Sequence, residues 1–241
     1  MKGIQRNLPN LLTSLNLLSG VVGLLLLMQG NIGIASLMIL IAGVFDFLDG
    51  MVARLLHVKS ILGKELDSLA DVVSFGVLPG FILYNIVLLQ NPEWVILSFV
   101  PLLIPIFSAL RLAKFNIDNR QEEEFRGMPT PAMAIFVASI QAPYGISDLF
   151  EQTNIYSFLF HPITLSAISL VLCILMISEL RLFSLKLKKI SFAAYPYAMV
   201  FLIIAVLLVS VFKTAGLGFS IIIYIVVSVI KLLVERKARK V

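Results

Sequence analysis

The sequence predicts an all-α polytopic membrane protein with about eight transmembrane helices and both termini cytoplasmic, and three observations lead there. Hydrophobic residues make up 59% of the 241 residues, charged residues only 14%, and the mean hydropathy is +1.00. Soluble domains hold about 45–50% apolar and about 25% charged residues, so this excess of apolar surface needs lipid around it. The apolar residues also fall in runs close to the roughly 20 residues of a spanning helix, without the period-two alternation of barrel strands. Finally, all but one of the 19 lysines and arginines fall on one side of the runs, the side that stays in the cytoplasm.

The runs follow in order. The first, 10-29, lacks a small-residue cleavage site and is followed almost at once by the next, so it reads as a retained helix and not as a signal peptide. Gly30 and Asn31 separate it from the second, 31-49; the third, 69-90, stops at Gln90, Asn91 and Pro92, before the fourth, 94-115. Pro129 and Pro131 open the fifth, 130-149, and the sixth is 160-179. Ala215 and Gly216 make a tight link between the seventh, 193-212, and the eighth, 215-234. Residues 2-8, with Lys2 and Arg6 around Ile4 and Leu8, have the makings of a short interfacial helix.

The whole chain, 1-241, then forms one integral-membrane domain with no room for a soluble one. Its basic charge sits in the loops: Arg54, Lys59 and Lys64; Arg111, Lys114, Arg120 and Arg126; Arg181, Lys186, Lys188 and Lys189; and Lys231 with the tail from Arg236. Only Lys213 falls on the opposite side. The formal charge of +5 therefore reflects topology and attraction to anionic headgroups, and no nucleic-acid partner is expected. The polar run 121-124 reads as a solvated loop face. Cys173, the single cysteine, excludes a disulfide framework and reads as a small apolar filler. His57 and His161, on opposite sides, are not expected to bind metal.

Chemistry concentrates between residues 46 and 71. Asp46, Asp49 and Ala53 share one helix face, and Asp67 and Asp71, four apart, share a face of the next helix. Insertion scales charge about 2.5–3.5 kcal/mol for each acid at a helix centre, so four need compensation, and two divalent cations would cancel their charge. Oxygen-only ligands favour Mg²⁺ or Mn²⁺, and a paired-metal site suits in-line displacement at phosphorus. A phosphate ester or anhydride is the substrate class this implies. Gly50 and Ala53 leave room for a ligand against the helix backbone, while Arg54, Lys59 and Lys64 are placed to neutralise phosphate oxygens.

At these positions the chain resembles the CDP-alcohol phosphotransferase family, whose signature is D-x2-D-G-x2-A-R-x8-G-x3-D-x3-D. Asp46, Asp49, Gly50, Ala53, Arg54, Gly63, Asp67 and Asp71 fill every fixed position. The resemblance implies a core of six helices, placed at 7-180, leaving 181-241 as a loop, two extra helices and a basic tail. It also implies a homodimer that binds a CDP-linked lipid or alcohol at the cytoplasmic face of the cell membrane. Asp46, Asp49 and Asp67 would be metal ligands, and Asp71 the general base, also within reach of a second metal.

Flanking residues narrow the acceptor. The stretches 67-79, 109-116, 125-132 and 9-16 resemble the membrane-integral phosphatidylserine synthases within that family, whereas phosphatidylglycerophosphate synthases tend to carry proline and lysine where this chain has Ser68 and Val72. Lys114 stands where arginine is more frequent. The close likeness covers roughly residues 7-135, and the last two spans rest on hydropathy alone. What it implies is phosphatidyl transfer from CDP-diacylglycerol, or an archaeal ether-linked equivalent, to the hydroxyl of L-serine, with CMP released and no covalent enzyme intermediate. Gly50, Ala53, Arg54, Gly63 and Lys64 would bind CDP and phosphate. Arg111 is the candidate for the serine carboxylate, with Asn116 and Arg126 as partners. The alternatives are transfer to glycerol 3-phosphate, inositol phosphate or another small alcohol, and a cation-coupled transporter. A transporter explains intramembrane acids but not the adjoining Gly-x2-Ala-Arg.

Overall fold

A computed structural model describes residues 2–58, 60–90, 92–117, 125–182 and 196–238. Helix α1 (Lys2–Met28) turns at Gly30, whose φ of 81° suits glycine, into α2 (Ile32–Leu55). The α2 helix closes after Arg54: His57 takes a left-handed φ of 54°, and the Val58 N–H returns to the Ala53 carbonyl at 3.0 Å. Ser60 then caps α3 (Ile61–Val72), its hydroxyl oxygen accepting the Gly63 N–H at 3.2 Å. A π-helical turn at Val73–Val77 joins α3 to α4 (Leu78–Gln90), so one continuous helical stretch carries Asp67 and Asp71 near its start and the centre of the core at its end. Such turns gather at functional sites because they re-aim side chains by a fraction of a turn.

The rest of the chain wraps this stretch. Helix α5 (Val95–Ser98) leads to α6 (Leu103–Ile117), and α7 (Thr130–Gln141), α8 (Ile146–Phe150), α9 (Asn154–Leu159), α10 (Pro162–Ile177) and α11 (Pro196–Ala238) follow. Phe75, Leu78, Ile82 and Leu83 from the π turn and α4 are fully buried, together with Ile39 of α2, Ile104 of α6, and Met133 and Val137 of α7. Close approach of α1 depends on glycine. A Cβ at Gly20 would lie 2.7 Å from Ser74 Oγ, and one at Gly23 would collide with Leu78. On the other flank, a Cβ at Gly76 would meet Ser108 Cβ of α6 at 3.0 Å.

Five helical stretches among the described residues are long and apolar enough to cross a membrane: Asn7–Met28, Ile32–Leu55, Ile61–Leu89, Val95–Ile117 and Tyr197–Leu232. The protein is a multi-pass membrane protein, but the expected eight spans are redistributed. The third starts at Ile61 and not at 69, because the Ser60 cap extends the helix through the polar turn that carries Gly63 and Lys64. The fifth ends at Gln141, where Ala142 turns extended (φ −63°, ψ 151°) ahead of Pro143, and the sixth is Pro162–Ile177. At 1.5 Å per residue, their 12 and 16 residues reach about 18 and 24 Å, short of a hydrocarbon core of about 30 Å. The seventh and eighth are limbs of α11 meeting at Lys213 (φ 52°, ψ −125°), two residues before the expected link. Residues 2–8 continue α1 and do not form a separate helix.

The molecule has two distinct ends. At one, the Lys213 ammonium sits 3.8 Å from the centroid of the Tyr144 ring, Ala215 N–H donates to the Tyr144 carbonyl, and the Gln141 carbonyl lies 3.2 Å from where a Gly33 Cβ would be. The acids lie at the opposite end of α2. There a two-residue antiparallel pairing, which the sequence reading did not anticipate, joins β1 (Phe125–Arg126) to β2 (Arg181–Leu182). Gly127 makes the turn out of it at φ 74°, its N–H donating to the Leu180 carbonyl at 2.9 Å. Lys59, Arg120, the run 121-124, Lys186, Lys188, Lys189 and residues 239-241 lie outside the described residues.

Candidate active site

The spacing of the acids does what helical geometry requires. Asp46 and Asp49, one turn apart on α2, face Asp67 on α3, and their carboxylate oxygens lie within 4.8 Å of one another. Asp49 is 6% exposed. At that separation each ionised pair repels by roughly 3–4 kcal/mol with an effective dielectric of about 20, so the trio is stable as carboxylates only against positive charge. Oxygen donors alone, at this spacing, fit a hard divalent cation. Asp67 Oδ1 is buried with no hydrogen-bond partner, as suits an atom that would ligate a cation.

Asp71 is set apart. It is 7% exposed, belongs to the same face of α3 as Asp67, and accepts a hydrogen bond at Oδ1 from Asn16 Nδ2 of α1 at 3.1 Å. Thr13, one turn earlier on α1, donates its hydroxyl to Asp49 Oδ2 at 2.6 Å. Neither α1 residue was singled out from the sequence, where both occur only within the stretch 9-16. A polar side chain inside an apolar span is a functional signal in itself, and Thr13 and Asn16, three apart on one face, carried that signal.

A cavity of about 370 Å³ opens beside the trio, lined by Pro9, Asn10, Thr13, Asp49, Gly50, Ala53, Val58, Ser60, Gly63, Lys64 and Asp67. Gly50, Ala53, Gly63 and Lys64, the residues expected to bind CDP and phosphate, all line this cavity. A Cβ at Gly50 would meet only Arg54 Nη1, at 3.6 Å, so the α2 backbone is open to a ligand there. A Cβ at Gly63 would press on Asn10 Oδ1 at 2.9 Å, so glycine lets α1 close the cavity's other wall. Arg54 is exposed beside the cavity and is not among its lining residues.

The three residues expected around serine each have a different partner. Arg111, 6% exposed on α6, donates from Nη1 to Thr130 Oγ1 at 3.3 Å and packs its guanidinium 5.8 Å from the Phe115 ring centroid; it lies within electrostatic reach of Asp71. Asn116 donates to Ser68 Oγ at 2.8 Å and accepts the Lys64 ammonium at its backbone carbonyl at 3.1 Å. Arg126 pairs with Glu179 Oε2 at 3.0 Å, and Lys114 with Glu179 Oε1 at 2.5 Å. Glu179 was not anticipated. The hydrogen bond from Lys114, with that from Arg126, holds its carboxyl below the usual carboxylate range.

Among the described residues, four buried side-chain atoms lack a hydrogen-bond partner: Asn16 Oδ1, Asp67 Oδ1, Arg111 Nε and Arg126 Nε. A buried, unmet polar atom costs about 1–3 kcal/mol, and more for a charged group. All four belong to residues at this end of the molecule. One acceptor on a carboxylate, one amide oxygen and two guanidinium donors are what a cation and a zwitterionic substrate would jointly satisfy.

The chain is similar to several known proteins. An archaetidylserine synthase from Methanothermobacter thermautotrophicus is 34% identical over 176 residues, covering 72% of this chain and 68% of that protein. A CDP-diacylglycerol–serine O-phosphatidyltransferase from Bacillus subtilis is 34% identical over 174 residues, 72% of this chain and 88% of that protein. A protein of the same name from Mycobacterium leprae is 39% identical over 143 residues, 56% of this chain and 46% of that protein. The profile of the CDP-alcohol phosphatidyltransferase family matches residues 6–234, and the chain belongs to that family.

Proposed function

We propose that this member of the CDP-alcohol phosphatidyltransferase family moves the phosphatidyl group of CDP-diacylglycerol, or of an ether-linked equivalent, onto the hydroxyl of L-serine and releases CMP. The observation that carries the reading is the trio Asp46, Asp49 and Asp67, with oxygens within 4.8 Å, beside a cavity floored by Gly50 and Ala53. The names of the relatives support both the donor and the acceptor.

Asp46, Asp49 and Asp67 would hold divalent cations, Mg²⁺ or Mn²⁺, with Asp71 at the edge of a second position. Bound there, the cations would neutralise the pyrophosphate and stabilise the departing phosphate of CMP. The cavity takes the cytidine and pyrophosphate against Gly50, Ala53 and Gly63, with Lys64 and Arg54 offering positive charge to the phosphate oxygens. Both lipid tails remain among the helices.

Asp71 receives the serine hydroxyl proton at Oδ2, the oxygen that Asn16 does not occupy. The serine oxygen forms its bond to the phosphorus attached to diacylglycerol as the bond to CMP breaks, so the phosphatidyl group passes in one displacement. Arg111, buried and with Nε unengaged, receives the serine carboxylate. No side chain forms a covalent bond to substrate, so the protein acts by positioning and by preorganised charge. The basic residues around the site, with Lys213 at the far end, support a site at the cytoplasmic face of the cell membrane, and the working unit would be a homodimer.

Incorporation of isotope-labelled L-serine into extractable lipid tests the reading. Label should enter lipid only when CDP-diacylglycerol and Mn²⁺ or Mg²⁺ are both present. Incorporation without CDP-diacylglycerol would refute the donor assignment.

A further inference from the structure

Helix α1 carries none of the four acids, yet it touches two of them. We propose that α1 supplies two positioning residues with separate duties: Thr13 orients Asp49 within the cation-binding trio, and Asn16 orients Asp71. The proposal rests on the roles given to those acids above.

Thr13 is 3% exposed. Its single hydroxyl proton has two acceptors in range, the Pro9 carbonyl at 3.1 Å and Asp49 Oδ2 at 2.6 Å. The second lies in the range of a charge-assisted O–H···O⁻ bond and takes the proton. That engages one oxygen of Asp49 and leaves Oδ1 to turn toward a cation. Asn16 is fully buried, and its amide donates to Asp71 Oδ1, leaving Oδ2 for a substrate proton. In each case α1 occupies one oxygen of an acid and frees the other.

The clamp is held at a second point. Ser74, three residues after Asp71 in the π turn, donates its hydroxyl to the Asn16 backbone carbonyl at 3.0 Å. Gly20, one turn further along α1, permits that approach, since a Cβ there would lie 2.7 Å from Ser74 Oγ. Asn16 is thus tied by side chain to Asp71 and by backbone to the turn that follows it. A purely structural asparagine would meet both ends of its amide; Asn16 Oδ1 has no donor.

The two duties separate experimentally. Mn²⁺ binding to the purified full-length protein is followed by the electron paramagnetic resonance of free Mn²⁺, beside initial rates of CMP release. Thr13→Val is expected to weaken Mn²⁺ binding about 10-fold or more, with the hydroxyl-bearing Thr13→Ser recovering it, as fits loss of a hydrogen bond to a charged group. Asn16→Ala should weaken Mn²⁺ binding far less than Thr13→Val does, while kcat falls about 10- to 100-fold and the serine KM moves little. Asn16→Ser, which keeps a donor, should recover part of the rate and stands in if the alanine variant fails to fold. Unchanged Mn²⁺ binding in Thr13→Val overturns the first duty. Parent-level kcat in Asn16→Ala, or an equal loss of rate and Mn²⁺ binding, overturns the second. Asp71→Asn is measured in parallel. If it turns over, the base assignment itself fails; if it is inactive while Asn16→Ala is unimpaired, only the positioning role fails.

Discussion

Replacing Gly20 with alanine is a small change, made on a helix that carries none of the four acids, and it should disable the enzyme without unfolding it. The added Cβ would lie 2.7 Å from Ser74 Oγ, 2.9 Å from Ser74 Cα and 3.1 Å from Ser74 N. Two of these are backbone atoms, so a rotamer change does not relieve the overlap. Reaching the optimal separation of about 3.5 Å requires α1 and the π turn to part by about 0.6 Å. Overpacking of this kind costs about 1–3 kcal/mol. Alanine is the better helix former by about 1 kcal/mol, which offsets part of that cost, so the net loss of stability is modest. Geometry suffers more: the Ser74 to Asn16 bond, now 3.0 Å, stretches, and the Asn16 to Asp71 bond at 3.1 Å stretches with it. Misplacement approaching 1 Å at a reacting group can cost about 100-fold in rate. Gly20→Ala is therefore expected to keep its thermal midpoint within a few degrees and to lose about 10- to 100-fold in kcat, read by CMP release beside differential scanning fluorimetry in detergent. A rate within twofold of the parent would refute the coupling of α1 to Asp71.

Three further outcomes follow from the same geometry. Arg111→Lys, which removes the planar fork from a buried position, should raise the serine KM about 10-fold or more and leave the KM for CDP-diacylglycerol nearly unchanged; equal rises in both would remove Arg111 from serine recognition. Gly127→Ala should destabilise by about 1–3 kcal/mol, because φ is 74° and the new Cβ would run into the carbonyls of Met176 and Ser178, and an unchanged thermal midpoint would contradict that. Glu179→Gln removes the shared partner of Lys114 and Arg126. Since the Glu179 carboxyl is held below its usual range when folded, its contribution is present above the unfolded pKa and fades as pH falls through the lowered folded value. The parent and Glu179→Gln should therefore differ in stability at neutral pH at most slightly, as the group is exposed, and converge in acid. A gap that widened on acidification would contradict the sign.

What the sequence disclosed follows from the range of the interactions involved. Asp46 and Asp49, or Asp67 and Asp71, are neighbours on one helix, so 3.6-residue periodicity alone brings each pair to one face. Gly50, Ala53, Gly63 and Lys64 sit on the same two helices, which is why the cavity wall was legible too. Thr13 and Asn16 escaped notice because their partners lie 36 and 55 residues away, and nothing local in α1 records which side chain it will meet. The π turn left no mark in the hydropathy of 69-90, since inserting one residue into a helix does not interrupt an apolar run. Hydropathy also overran the ends of the fifth and sixth spans: the residues after Gln141 are apolar, but Pro143 and Gly145 end the helix. For α11, Ala215 and Gly216 looked like the hinge, whereas the left-handed residue is Lys213, whose ammonium finds the Tyr144 ring. Glu179, the last residue of the expected sixth span, was not anticipated because its two cations come from α6 and β1, distant in sequence.

The most direct test supplies purified protein with CDP-diacylglycerol and Mn²⁺ and measures CMP release with L-serine, glycerol 3-phosphate or inositol phosphate as the acceptor. The account predicts release with serine alone, abolished by EDTA and restored by added Mn²⁺ or Mg²⁺. Release with a phosphorylated acceptor and not with serine would leave the carboxylate site standing and contradict the serine pocket, and no release with any acceptor would contradict the assignment as a whole.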